Sequence, residues 1–207
     1  MGNREQGLDP VALLVDAGTI WGEDVEAAAR RLPVLAECGA LWLEEPFVSG
    51  ALKAYHELGR RMRGPLRTAG GEGAHEPFMA RNLIDFGSVG YIQIDAGRIG
   101  GITSAYEIAR YAETHGITYV NHTFTTPLAL CASLQPFAGI ESSQLCEYPV
   151  ESSALAQALT SEKIVPDANG AIQIPDRPGL GVTVYPEAIR QYLVPVEIRV
   201  GKRLVHQ

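Results

Sequence analysis

The sequence predicts an α/β fold of parallel strands, arranged as a (β/α)8 barrel of the TIM type. Three observations carry that prediction. Short apolar runs rich in β-branched residues alternate with stretches whose apolar residues recur at helical spacing. The runs are apolar on both faces, as strands covered on two sides by helices are. Each run also ends on one ionisable side chain: Asp16, Glu44, Glu72, Asp95, His122 and Glu147. These follow at intervals of 28, 28, 23, 27 and 25 residues, the length of one strand–helix unit. In a closed barrel the C-terminal strand ends share one rim, whereas in a doubly wound sheet only those beside the switch point share a pocket. Six equivalent ends favour the barrel.

The predicted strands are 11–16, 40–44, 66–72, 91–95, 117–122 and, less clearly, 143–147. Between the first two, 23–38 reads as a helix with acids in its first turn, where the helix dipole favours them. Pro33 inside that pattern either kinks the helix or starts a second turn. Further helices are expected at 51–63, 75–86, 101–115 and 127–139. The stretch 196–200 (VEIRV) alternates like a strand and could cover a sheet edge.

Composition narrows the class. The chain has 207 residues, 46% of them hydrophobic, enough for a sizeable core and too apolar for disorder. A net charge of −7 leaves no basic footprint for nucleic acid or anionic lipid. The apolar runs are too short to span a membrane, and residues 1–10 lack an apolar signal region. Cys38, Cys131 and Cys146 read as reduced core residues, so the expected compartment is cytoplasmic.

An acid at one strand end is explained equally well as a helix cap. Six in succession are not, because charge at the mouth of a packed core is costly unless paired or metal-bound. Asp16, Glu44 and Glu72 come from consecutive strands and make a hard, all-oxygen donor set suited to Mg²⁺, or Mn²⁺ in its place. Asp95 and His122 follow on the next two strands. A carboxylate beside an imidazole fixes its tautomer and makes it a general base. Glu147 can hydrogen-bond a substrate. A divalent ion facing a base suits removal of a proton α to a carboxylate.

The motifs WLEEP (42–46), AGGE (69–72), IQIDAGRIGGIT (92–103), NHT (121–123), CEYP (146–149) and PGLGV (178–182) together resemble the mandelate racemase branch of the enolase superfamily, from about residue 10 to 185. The resemblance implies a Mg²⁺ site from Asp16, Glu44 and Glu72, a His122–Asp95 base, and Glu147 as partner to the substrate carboxylate. It also implies a partial barrel over 1–185, with counterparts of strands three to eight only. An N-terminal capping domain and the first two barrel strands would be lacking, and 186–207 would be a tail returning toward that cap. Such a chain is expected to be a partial reading frame, pairing with another copy through its open seam. Two departures stand out: no lysine precedes Lys53, and Gly18 replaces an asparagine common in relatives.

The leading functional expectation is dehydration of an acid sugar, with His122 as the single base. A racemase or epimerase would need a second base on the opposite face, and a catalytically silent barrel fragment would show neither chemistry. Among minor candidates, GRIGG (97–101) reads as glycine for tight strand–helix packing rather than a phosphate loop. His75, Trp21, Ser49 and Thr123 could line a pocket, while His56, His115 and His206 read as helix-face or tail residues.

Overall fold

Five of the predicted runs form strands: β1 (Leu13–Asp16), β2 (Ala40–Glu44), β3 (Arg67–Gly70), β4 (Tyr91–Asp95) and β5 (Thr118–His122). They lie in chain order in one all-parallel sheet. The computed structural model describes residues 12–141, 145–196, 198–200 and 203–206. Helices join the strands: α1 (Val25–Ala29), α2 (Leu32–Glu37), α3 (Leu52–Arg61), α4 (Pro77–Phe86), α5 (Ile102–Thr114) and, after β5, α6 (Pro127–Leu134). Sequential parallel strands with helical crossovers make a partial (β/α) barrel.

Local chemistry explains the element ends. The helix expected over 23–38 is two helices. Asp24 caps α1 by accepting from the Ala27 N–H at 2.9 Å. Pro33 stands in the first turn of α2, where its missing N–H removes no hydrogen bond. The expected helix at 127–139 is α6 followed by a 3₁₀ turn, Gln135–Gly139, with Pro136 in its first turn. The third strand stops at Gly70, so Glu72 lies in the turn beyond it rather than on it.

The chain divides into two compact units, Met1–Thr123 with Ala132–Glu147 and Phe124–Cys131 with Tyr148–Gln207. In the first, Leu43, Ile92, Ile94 and Tyr119 are buried with the inward faces of α3, α4 and α5. A smaller cluster of Trp42, Ala69 and Val120, with Tyr91 set edge-on to Trp42 at 5.0 Å, fills the opposite face of the sheet. Alternation along the strands then puts Glu44, Asp95 and His122 on that second face, at the strand ends.

Of the sixth run, Ser143 and Gln144 lie outside the described residues, and 145–147 form no strand. The Asn121 side chain takes the place of a ladder there, accepting from the Glu147 N–H at 2.9 Å and donating to the Glu147 carbonyl at 3.1 Å. Three core cysteines are not observed. Cys131 is buried and Cys146 half-buried, but Cys38 is exposed, because it caps α2, a helix with no buried residue.

In the second unit, α7 (Ala154–Ala158) precedes a bridge between Thr160 and Val184. The run at 196–200 forms β6 (Ile198–Val200), which pairs antiparallel with β7 (Arg203–His206) in a sheet separate from the barrel strands. It pairs there and not with an edge of the five-stranded sheet, and Glu197 lies outside the described residues. Glu162 ties this unit together. It accepts from the Ser161 hydroxyl, the Thr183 N–H at 2.8 Å and Arg177 at 2.8 Å. These bonds hold its carboxyl down at about 2. A depressed carboxylate contributes stability that is complete above about pH 4.5 and lost as pH falls toward 2. Glu162→Gln is therefore expected to flatten the acid limb of unfolding between those values, read by a fluorescence melt at each pH. An acid limb identical to wild type would show that Glu162 plays no part in it.

Candidate active site

All six predicted site residues belong to the first unit, and three of them, Glu72, Asp95 and His122, are linked to one another by hydrogen bonds. β4 and β5 run in register with Asp95 opposite His122, which sets their side chains one strand spacing apart. The His122 Nδ1 lies 2.9 Å from Asp95 Oδ2. Asp95 is itself fixed, because Oδ1 accepts from the N–H groups of Gly97 at 2.7 Å and Arg98 at 3.0 Å. On the other side of the ring, His122 Nε2 meets Glu72 Oε2 at 3.0 Å. Glu72 Oε1 accepts from Arg98 Nη1 at 2.7 Å. The imidazole is thus held between two carboxylates and is only 7% exposed.

The charges follow from that arrangement. Burial works against a charged His122, yet its bonds to Glu72 and Asp95 push it up to about 9. The His122 bond, with Arg98 beside it, holds Glu72 down at about 2 despite burial. The remaining acids move the opposite way. Burial pushes Glu44 up to about 7, opposed by a bond from Gln93 and reinforced by Asp16, Glu147 and Glu72. Burial, with Glu72 and Asp16 nearby, also raises Glu45 to about 7. Glu147 rises through burial as well, while its Oε2 accepts from the Thr123 N–H at 3.0 Å.

A hard divalent cation fits the chemistry of this donor set. Asp16, Glu44, Glu45 and Glu72 crowd negative charge into one place, and Glu45 Oε1 is buried with no hydrogen-bond partner among the described residues. The carboxylates are not gathered as ligands, however: among the described residues no three acids or histidines are grouped closely enough to hold a metal. Glu72 is turned to His122 and Arg98, and the exposed Asp16 accepts from the Gly18 N–H at 2.8 Å.

Sequence reasoning passed over Glu45, Arg98 and Asn121. Glu45 was hidden by its neighbour in WLEEP, although its φ of +35°, next to Pro46, marks a strained backbone of the kind found at functional sites. Arg98 lay inside GRIGG. Two of its three glycines serve conformation rather than close packing, whereas a Cβ at Gly97 would meet Asp95 Oδ1 at 3.1 Å. Gly100 and Gly101 have φ of +102° and +112°, and no neighbour crowds them closer than ordinary van der Waals contact. Asn121 adjoins His122, and a buried amide beside a candidate base was the available signal. Trp21 packs partly buried against the main core and His75 is exposed. Thr123 is buried, and its hydroxyl has no hydrogen-bond partner among the described residues.

Residues 4–188 match the family model described as enolase C-terminal domain-like. The chain is 30% identical over 191 residues to the D-galactarolactone cycloisomerase of Agrobacterium fabrum, covering 88% of this chain and 49% of that protein. It is 30% identical over 167 residues to the L-rhamnonate dehydratase of Saccharopolyspora erythraea, covering 79% of this chain and 42% of that protein. A solved structure from Rhodobacter sphaeroides, described as a predicted mandelate racemase, superposes with a TM-score of 0.86 at 55% identity, over 94% of this chain and 50% of that one. The chain therefore spans about half the length of the curated relatives it matches.

Proposed function

The chain belongs to the enolase C-terminal domain-like family, and from that premise we propose that its site removes the proton α to a carboxylate and serves the dehydration of an acid sugar. The observation that carries this reading is the histidine gripped by Asp95 at Nδ1. A carboxylate on Nδ1 fixes the tautomer that leaves Nε2 to take a proton, the requirement for a general base. Nε2 now meets Glu72, whose bond helps hold the imidazole charged, so that contact must yield before Nε2 is free to take a proton from a substrate C–H.

The rest of the reaction needs little more from the protein. Once protonated, His122 can return its proton to the departing β-hydroxyl. The C–H and C–O bonds break, water leaves, and the enol product becomes a 2-keto acid. Glu147, raised by burial, is suited to hydrogen-bond the substrate carboxylate. Asp16, Glu44 and Glu72 are the residues that would hold Mg²⁺, whose charge would offset the negative charge gathering on the substrate carboxylate as the proton leaves. The acid-sugar class is supported by likeness to a dehydratase named for L-rhamnonate. A racemase or epimerase is the second reading, favoured by the 55% identical structural neighbour.

The test is a calorimetric titration with Mg²⁺ of wild type and Glu72→Gln, followed by a panel of acid sugars incubated in D₂O. Saturable binding lost in Glu72→Gln, with 2-keto acid appearing, supports the dehydratase. Deuterium entering the α-position without 2-keto acid selects the racemase or epimerase. Neither product with any sugar leaves a chain that is catalytically silent by itself.

A further inference from the structure

Asn121 and Thr123 stand on either side of the base, and both reach the same acid. Asn121 is fully buried in β5. Its Oδ1 accepts from the Glu147 N–H at 2.9 Å, and its Nδ2 donates to the Glu147 carbonyl at 3.1 Å and to the Ser133 hydroxyl at 3.0 Å. An amide is suited to that, because it offers an acceptor and two donors without a charge. Two residues on, the Thr123 N–H donates to Glu147 Oε2 at 3.0 Å. The backbone of Glu147 is thus held from one side of His122 and its carboxyl from the other.

This is more than strand pairing. Residues 145–147 form no strand, and among the described residues no hydrogen bond besides the two from Asn121 reaches the Glu147 backbone. The carboxyl is held on one oxygen only. Oε2 accepts from Thr123, while no hydrogen bond among the described residues occupies Oε1. A proton on Glu147 therefore belongs on Oε1, and that is the oxygen left to donate to a ligand.

We propose that Asn121 is a positioning residue, which together with the Thr123 N–H fixes Glu147 relative to His122, so that Oε1 bonds the substrate carboxylate while His122 takes the α-proton of the same molecule. The proposal rests on the reading of Glu147 as partner to that carboxylate. If Asn121 only filled the core, its loss would loosen β5 as a whole. If it positions Glu147, its loss frees the Thr123 N–H, beyond the base, while the strand keeps its ladder.

The experiment is amide hydrogen exchange by NMR on wild type, Asn121→Ala, Ser133→Ala and Glu147→Ala, with deuterium incorporation into whichever acid sugar turns over with wild type. In Asn121→Ala, protection of the Thr123 N–H should fall by about 3–10-fold, as for a lost hydrogen bond. That fall should approach the one in Glu147→Ala, with the amides of β5 otherwise unchanged. Exchange of the α-proton should slow by about 10–100-fold, the scale of a small misplacement. Ser133→Ala removes the one Asn121 side-chain bond not made to Glu147 and should leave both readouts as in wild type. Unchanged Thr123 protection in Asn121→Ala, or an equal loss throughout β5, overturns the proposal. So does wild-type turnover in a variant whose Thr123 N–H is freed. Should Asn121→Ala fail to fold, Asn121→Asp decides, since it turns an oxygen on the Glu147 carbonyl; wild-type Thr123 protection and turnover there overturn the proposal. No turnover by wild type removes the reading on which the proposal rests, a failure distinct from the others, all of which leave wild-type turnover standing.

Discussion

His122→Asn is expected to slow exchange of the substrate's α-proton with solvent deuterium by about 10²–10⁴-fold, the usual contribution of a positioned general base. The measurement is deuterium incorporation by NMR, on whichever acid sugar turns over with wild type. The reasoning is geometric. His122 is the one imidazole among the described residues bonded to a rim carboxylate at each nitrogen, Asp95 at 2.9 Å and Glu72 at 3.0 Å. Asparagine keeps polarity and approximate reach but cannot take up a proton near neutral pH. Asp95→Asn tests the same unit from behind. Its amide can donate where the carboxylate could only accept, so the imidazole turns to the wrong tautomer. The two substitutions should therefore cost similar amounts separately, and little more together, because they disable one device. Exchange at the wild-type rate in His122→Asn would place the base elsewhere.

The sequence made the strand ends legible because they obey a simple rule: one polar side chain closing each apolar run, every 23 to 28 residues. Asp16, Glu44, Asp95 and His122 are all last residues of observed strands. The rule weakens where the ladder gives way to other contacts. Glu72 stands two residues beyond β3, placed by a turn whose geometry no periodicity records. Glu147 is positioned by the Asn121 amide and the Thr123 N–H, long-range bonds from a different strand end. Arg98 was invisible for a related reason. A side chain that folds back over its own strand end carries no signature in spacing. The hydrogen bond from His122 to Glu72 could not be foreseen either, because the argument from residue types assigned the acid to a metal and the histidine to substrate.

Gly71→Ala is expected to be the most damaging small substitution near the site. Gly71 has φ of +124°, a conformation L side chains rarely adopt. A Cβ there would also meet the Gln93 carbonyl oxygen at 2.8 Å and Ile92 Cδ1 at 2.8 Å. Both belong to β4, the strand paired with β3, so relief requires that the two strands separate or that the turn leading to Glu72 be rebuilt. Strain and overpacking together should cost on the order of 2–6 kcal/mol. Gly39→Ala is the control. Its φ of +71° imposes conformational strain, but nothing among the described residues lies within 4 Å of a Cβ, so the expected cost is only about 1–2 kcal/mol. Urea unfolding of the two variants measures the difference, and that difference is the clash. Equal stabilities would show that β4 gives way easily. A large loss, accompanied by loss of Mg²⁺ binding in protein that is still folded at low urea, would show that the close approach of Gly71 to β4 is what sets Glu72 at the rim.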